Sequence, residues 1–166
     1  MKGKWAQGIV PRNFAWVIKD QLAVAERPGG YGDNHRKVRR QEEIIWIREQ
    51  GFSRIVSILP STHNLHAYEE LGVVCEHLPF PNDAAAVAVL GELYPYLRDR
   101  LAEGERIFLH HDLLGDRVSG TVAGYLVWAG LVPQPPQAVA VVEQILHRQM
   151  GPPARELVTV ATRLPR

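Results

Sequence analysis

The chain has 166 residues, a net charge of +1 at pH 7 and 46% hydrophobic residues, which fits one globular domain over 1–166 with a full core. So even a charge balance excludes nucleic-acid or membrane binding driven by electrostatics alone, and the single cysteine excludes an intramolecular disulfide. No apolar run reaches the roughly 18 residues needed to cross a bilayer.

Residues 14–18 and 22–25 read as two short strands around the turn Lys19-Asp20-Gln21. Arg27-Pro28-Gly29-Gly30-Tyr31-Gly32 breaks regular structure. Asp33 or Asn34 then caps a helix to about Gln50, with Val38, Ile44, Ile45 and Ile47 loosely spaced on one side and Gly51 as its stop. Residues 54–59 form a strand ended by Pro60. A short helix over 61–71 stops at Gly72, and 73–80 is a further strand. Pro81-Asn82-Asp83 turns the chain and caps a helix over 84–103, which Pro95 can kink. Residues 106–109 form a short apolar strand, expected at the centre of the sheet. A buried helix over 117–129 follows, in which Gly120, Ala123 and Gly124 allow close approach to the sheet. Pro135 and Pro136 open a helix to about Gln149, and a last helix runs from Pro153 to about Thr162. Strands alternate with helices, so the class is α/β with a mostly parallel, mixed sheet of about five strands covered on both faces.

The segment that carries chemistry is Phe108-Leu109-His110-His111-Asp112-Leu113-Leu114-Gly115-Asp116-Arg117. It reads as a buried strand, a tight loop ending in arginine, and the start of a small-residue helix. Backbone N–H groups freed at such a turn, together with the helix dipole, favour a phosphate-like anion. A guanidinium at the loop's end adds two parallel charge-assisted bonds. Residues 111–117 are therefore the candidate anion loop: His111, Asp112, Leu113, Leu114, Gly115, Asp116 and Arg117.

This pattern resembles the small atypical dual-specificity phosphatases of the protein tyrosine phosphatase superfamily. Their signature is His-Cys, five residues, Arg, then Ser or Thr; here it is His110-His111, five residues, Arg117, then Val118. Thr121-Val122-Ala123-Gly124-Tyr125-Leu126 resembles the helix after that loop. Asn13-Phe14-Ala15-Trp16-Val17-Ile18, Gly51-Phe52-Ser53-Arg54-Ile55-Val56-Ser57-Ile58 and His77-Leu78-Pro79-Phe80-Pro81 resemble other family segments in order and spacing. The resemblance covers about residues 13 to 150. It implies a phosphatase-like fold, His110 as loop organiser and Arg117 as anion ligand.

The departures fall on the chemistry. His111 stands at the place of the nucleophilic thiolate. Leu114 stands at the family glycine, with Gly115 one position later, and leucine resists positive φ. Val118 replaces the hydroxyl residue after the arginine. The general-acid aspartate falls on Asn82, with Asp83 adjacent and able to substitute. Asp112 brings a negative charge to the base of the cradle, where it would repel an anion.

His111 has three readings: an imidazole that fills the thiol's space in an impaired site, a nucleophile that forms phosphohistidine, or part of a metal site with His110 and Asp112 or Asp116. Neighbouring side chains on an extended segment point to opposite faces, which disfavours the metal site; no metal and no cofactor are expected. Cys75 reads as a core thiol, and His63 with His66 lacks a further ligand. The basic run His35-Arg36-Lys37 with Arg39-Arg40 is a solvated face or a guide for an acidic ligand. The expectation is an inactive or impaired phosphatase relative that binds a phosphate-like anion, on a phosphorylated protein or a metabolite. The alternatives are an active phosphohydrolase using His111, Arg117 and Asp83, and an interaction module whose cradle is filled by Leu113 and Leu114. No apolar stretch follows Met1-Lys2-Gly3-Lys4-Trp5, so the expected location is cytoplasmic. Nucleic acid and membranes are not expected partners.

Overall fold

A computed structural model describes residues 8–30 and 37–166. Their order is β1 (Ala15–Ile18), β2 (Leu22–Ala25), α1 (Lys37–Glu49), β3 (Arg54–Ser57), α2 (Leu65–Glu70), β4 (Cys75–His77), α3 (Ala86–Ala102), β5 (Ile107–His110), α4 (Asp116–Trp128), α5 (Pro135–Leu146) and α6 (Pro152–Thr162). The five strands form one mixed sheet in the order β1-β2-β5-β3-β4. Only β1 is antiparallel to its neighbour; the other pairs are parallel. This is the expected α/β architecture.

β5 lies at the centre because its Ile-Phe-Leu-His run is buried on both faces, the pattern of a parallel strand covered on each side. Its side chains alternate. Phe108 joins Ala23, Ala25 and Ile55 against Ile44 and Ile47 of α1 and Ala67 and Tyr68 of α2. Ile107 and Leu109 join Val24 and Val56 against the larger core built by α3 to α6. Every residue of α4 from Val118 to Trp128 is buried. At Gly120 an added Cβ would lie 2.7 Å from the Cα of Ala154 on α6, so the lack of a side chain sets how closely these helices pack.

Boundaries shift where backbone chemistry intervenes. β4 spans only Cys75–His77, not 73–80, since Pro79 has no N–H to donate; Leu78 and Phe80 still bond to the carbonyls of Ser57 and Ile58. α2 begins at Leu65, later than Ser61, because Asn64 adopts a left-handed φ of 74°. α5 ends at Leu146, before Gln149, since His147 takes φ 55°. α3 continues through Pro95. The proposed caps Asp33 and Asn34, like His35 and Arg36 of the basic run, lie outside the described residues. Among the described residues no helix is long and apolar enough to cross a membrane.

Candidate functional site

β5 ends at His110, and α4 starts at Asp116, so the intervening turn sits at the C-terminal edge of the central strand. That edge is where open α/β sheets place ligands. His110 is fully buried and faces the α1–α2 side. Its Nδ1 lies 2.7 Å from the carbonyl oxygen of His111, an acceptor only, so Nδ1 carries the hydrogen. Nε2 then accepts from the Tyr68 hydroxyl at 2.7 Å, and Tyr68 in turn accepts from the Asn64 amide at 3.3 Å. The same amide donates to the Pro28 carbonyl at 2.8 Å. This chain fixes the first peptide of the loop. Burial, only partly opposed by the bond to His111, drives the His110 pKa down to about 4, so the ring is neutral at pH 7.

His111 is half-buried, and its Nε2 is sealed from solvent with no hydrogen-bond partner. Burial lowers its pKa from 6.5; the nearby Arg117 charge lowers it further, and Asp112 opposes both. The imidazole is therefore neutral near pH 7. The two histidines serve different surroundings, and among the described residues no group of three His, Cys, Asp or Glu side chains is arranged to hold a metal ion.

The two loop carboxylates each meet an arginine from elsewhere in the chain. Asp112 Oδ1 lies 3.3 Å from Arg27 Nε, whose hydrogen points instead to the Gly30 carbonyl at 3.1 Å. That buried oxygen thus has no hydrogen bond and is held by charge alone. Backbone joins the same two residues, with Arg27 N–H donating to Asp112 O at 2.9 Å. The repulsion expected from Asp112 is therefore offset by Arg27, itself only 4% exposed. Asp116 turns toward α6: Gly151 N–H donates to its Oδ1 at 3.1 Å, and Arg148 Nη2 lies 3.6 Å from the same atom.

Among the described residues Arg117 forms no ion pair. Its Nη2 donates to Asn82 Oδ1 at 2.9 Å, and its guanidinium lies 4.2 Å from the centre of the Phe80 ring. Burial lowers its pKa, yet arginine stays charged at neutral pH. Asn82, not Asp83, is the residue that reaches this arginine; Asp83 is exposed in the turn beside it. A small cavity of about 150 Å³ borders Arg117, lined by Asn82, Asp116, Pro153 and Leu157.

The leucines split. Leu114 is 6% exposed and joins the core, whereas Leu113 is 44% exposed. Neither Leu114 nor Gly115 needs a left-handed φ, so the leucine is unstrained where glycine was expected. Gly115 N–H bonds to Leu113 O at 3.0 Å. The N–H groups of Leu113, Leu114, Asp116 and Arg117 meet no acceptor among the described residues. Cys75 is no substitute for the missing thiol: it sits on the edge strand β4, separated from β5 by β3, and burial pushes its pKa up to about 12.

Sequence reasoning missed Arg27, Tyr68, Asn64, Phe80 and Arg148 as parts of this site. Only Phe80 carried a signal, inside the His77-Leu78-Pro79-Phe80-Pro81 segment.

No family model and no curated protein sequence matches the chain. Solved structures do. Kinase associated phosphatase, with its catalytic cysteine replaced by serine, aligns at a TM-score of 0.76 and 18% identity over 93% of this chain and 97% of that one. The active form of Tk-PTP aligns at 0.73 and 17% identity over 92% and 98%. The core catalytic domain of the PP-IP phosphatase SIW14 from S. cerevisiae, in complex with citrate, aligns at 0.68 and 11% identity over 92% and 87%. With the turn after β5 feeding α4 as the motif requires, the chain has the fold of the protein tyrosine and dual-specificity phosphatases.

Proposed function

We propose that this protein binds a phosphate-like anion, carried by a phosphorylated protein or metabolite, in the loop from His111 to Arg117, and that it does so as an impaired relative of the phosphatases. One observation carries the reading. Asp112 and Asp116 are each matched by another arginine, Arg27 and Arg148, while Arg117 is left facing an amide oxygen and an aromatic ring. A partly buried guanidinium without a carboxylate is a seat for an external anion. The amides of Leu113, Leu114, Asp116 and Arg117, which meet no acceptor among the described residues, are further donors in the same loop.

Impaired turnover follows from the residue at the nucleophile's place. His111 is neutral and in that sense competent to attack, but its Nε2 is closed off from any ligand's approach. Asn82, which cannot donate a proton as an acid, occupies the position beside Arg117.

Calorimetric titration with inorganic phosphate, sulfate and tungstate tests the reading. Binding should be measurable in the unmutated protein. Arg117→Ala removes two charged hydrogen bonds and should weaken binding by about 100-fold. Absence of binding in the unmutated protein overturns the proposal. Turnover of an aryl phosphate that disappears in a folded His111→Ala variant would assign catalysis to the histidine instead.

A further inference from the structure

The turn between α5 and α6 lies far from the loop in sequence yet grips its second half. His147, at φ 55°, ends α5, and Arg148 N–H bonds back to Glu143 O at 3.2 Å. The turn is braced from beneath, because Glu143 Oε2 accepts from Met150 N–H at 2.7 Å and lies 3.7 Å from Arg155 Nη2. From this fixed base Arg148 Nη1 donates to the Leu114 carbonyl, and Nη2 approaches Asp116. Gly151 presses close enough that a Cβ there would lie 2.5 Å from Asp116 Oδ2. Arg148 Nε is buried without a partner, a cost that makes sense only if the side chain is held where the loop needs it.

Leu114 is thus held from two sides. Its side chain enters the core, and its carbonyl is drawn outward by Arg148. Those two anchors fix the plane of the Leu114–Gly115 peptide, and with it the direction in which the chain enters α4. Arg117 projects from the first turn of that helix.

We propose that Arg148 is a positioning residue of the anion loop, setting the neighbouring amides and Arg117 in their binding geometry while itself standing outside the cradle. The proposal rests on the anion-binding reading above. The loop is then set by a guanidinium from outside it as well as by its own unstrained backbone.

Titration of the full-length protein with inorganic phosphate tests it in three variants. Arg148→Ala should weaken binding by about tenfold, the worth of one charge-assisted hydrogen bond. Arg148→Gln keeps a donor without the charge and should stay within about threefold of the unmutated protein. Arg148→Lys should fall between them. Equal binding by Arg148→Ala and the unmutated protein overturns the proposal. Equal losses in Ala and Gln also overturn it, in favour of simple long-range charge. If the unmutated protein binds no phosphate, the anion reading fails separately, and amide hydrogen exchange decides the role of Arg148. Faster exchange at Gly115 and Ser119, whose N–H groups are bonded to Leu113 O and Gly115 O, in Arg148→Ala with β5 unchanged supports a loop-holding side chain; unchanged exchange at both refutes it.

Discussion

The two faces of the sheet differ in how closely backbones approach. On the α1–α2 side, β5 meets a cluster of large rings: Phe108 stacks on Phe14 at 6.3 Å and meets the edge of Phe52 at 5.8 Å, with Trp16 and Trp46 completing the group. On the other side lies the larger core, with its own ring group of Tyr94, Tyr125 and Trp128, and there α4 approaches its neighbours through small residues, Gly120 against the backbone of Ala154 and Gly124 against Tyr94 and Ala161. Rings fill volume and supply burial energy. Small residues bring backbones together and so set positions. The candidate site takes one support from each face: His110 is tied to Tyr68 on the aromatic side, while Asp116 and Arg117 ride on the close-packed α4. The contrast assigns site geometry mainly to the second face, while both faces supply burial.

The largest expected effect falls on the aromatic face. Phe108 is fully buried among rings, so Phe108→Ala should cost about 3–5 kcal/mol through lost burial and the cavity left behind. Urea unfolding measures this, and a cost below about 1 kcal/mol would show that the cluster is not a packed core. Phosphate affinity of the folded variant should stay close to that of the unmutated protein, because the His110 ring that Phe108 meets at 6.2 Å is still held by Tyr68 and by the His111 carbonyl.

Next in size is the pH dependence of the polar tie at the same face. Burial holds the His110 pKa at about 4 in the folded chain, against 6.5 unfolded. Between those values the unfolded state binds the extra proton, so stability rises with pH. The contribution is full above pH 6.5 and is progressively lost as pH falls toward 4, by up to about 1.4 kcal/mol per pH unit. Protonation would also set a hydrogen on Nε2 against the hydrogen of the Tyr68 hydroxyl. Unfolding measured at pH 7, 6 and 5 should show this slope in the unmutated protein and a flatter one in His110→Asn. His111, whose pKa is also lowered, titrates in the same direction and leaves a residual slope in both. Identical slopes would remove His110 as the source.

Nearly every element was legible in the sequence because periodicity, prolines and glycines are local signals. Residues 106–109 read as the central strand since Ile107, Phe108 and Leu109 are apolar without alternation, Pro135 does open a helix, and the last helix opens at Pro152, one residue before the Pro153 read from the sequence. The turn between β5 and α4 was legible as a strand-to-helix loop ending in arginine. Its charge balance was not. Arg27 and Arg148 each reach the loop from far along the chain, and nothing in either neighbourhood marks the carboxylate it will meet. Asp112 therefore read as a repulsive charge until the fold set Arg27 beside it. The choice between Asn82 and Asp83 was equally out of reach, since neighbouring turn residues differ only in where the backbone aims them. Local pattern specifies elements, whereas pairing of charges waits for tertiary approach.

Gly120 gives the smallest change in stability and the sharpest test of the contrast. An added Cβ would sit 2.6 Å from the oxygen of Ala154 and 2.7 Å from its Cα, both backbone atoms that cannot swing aside. Gly120→Ala therefore forces α4 and α6 apart, at about 1–3 kcal/mol for an overpacked site, less than the loss expected from Phe108→Ala. Part of that cost is returned, because alanine favours helix over glycine by up to about 1 kcal/mol. The displacement is carried to Arg117, one turn earlier on the same helix, and to the Asp116–Gly151 contact at the start of α6. Phosphate affinity should thus fall in Gly120→Ala more than in Phe108→Ala, although the latter is the less stable protein. A reversed order, with affinity following stability across the two variants, would mean that the faces do not divide the work and that the site depends only on how well the whole chain is folded.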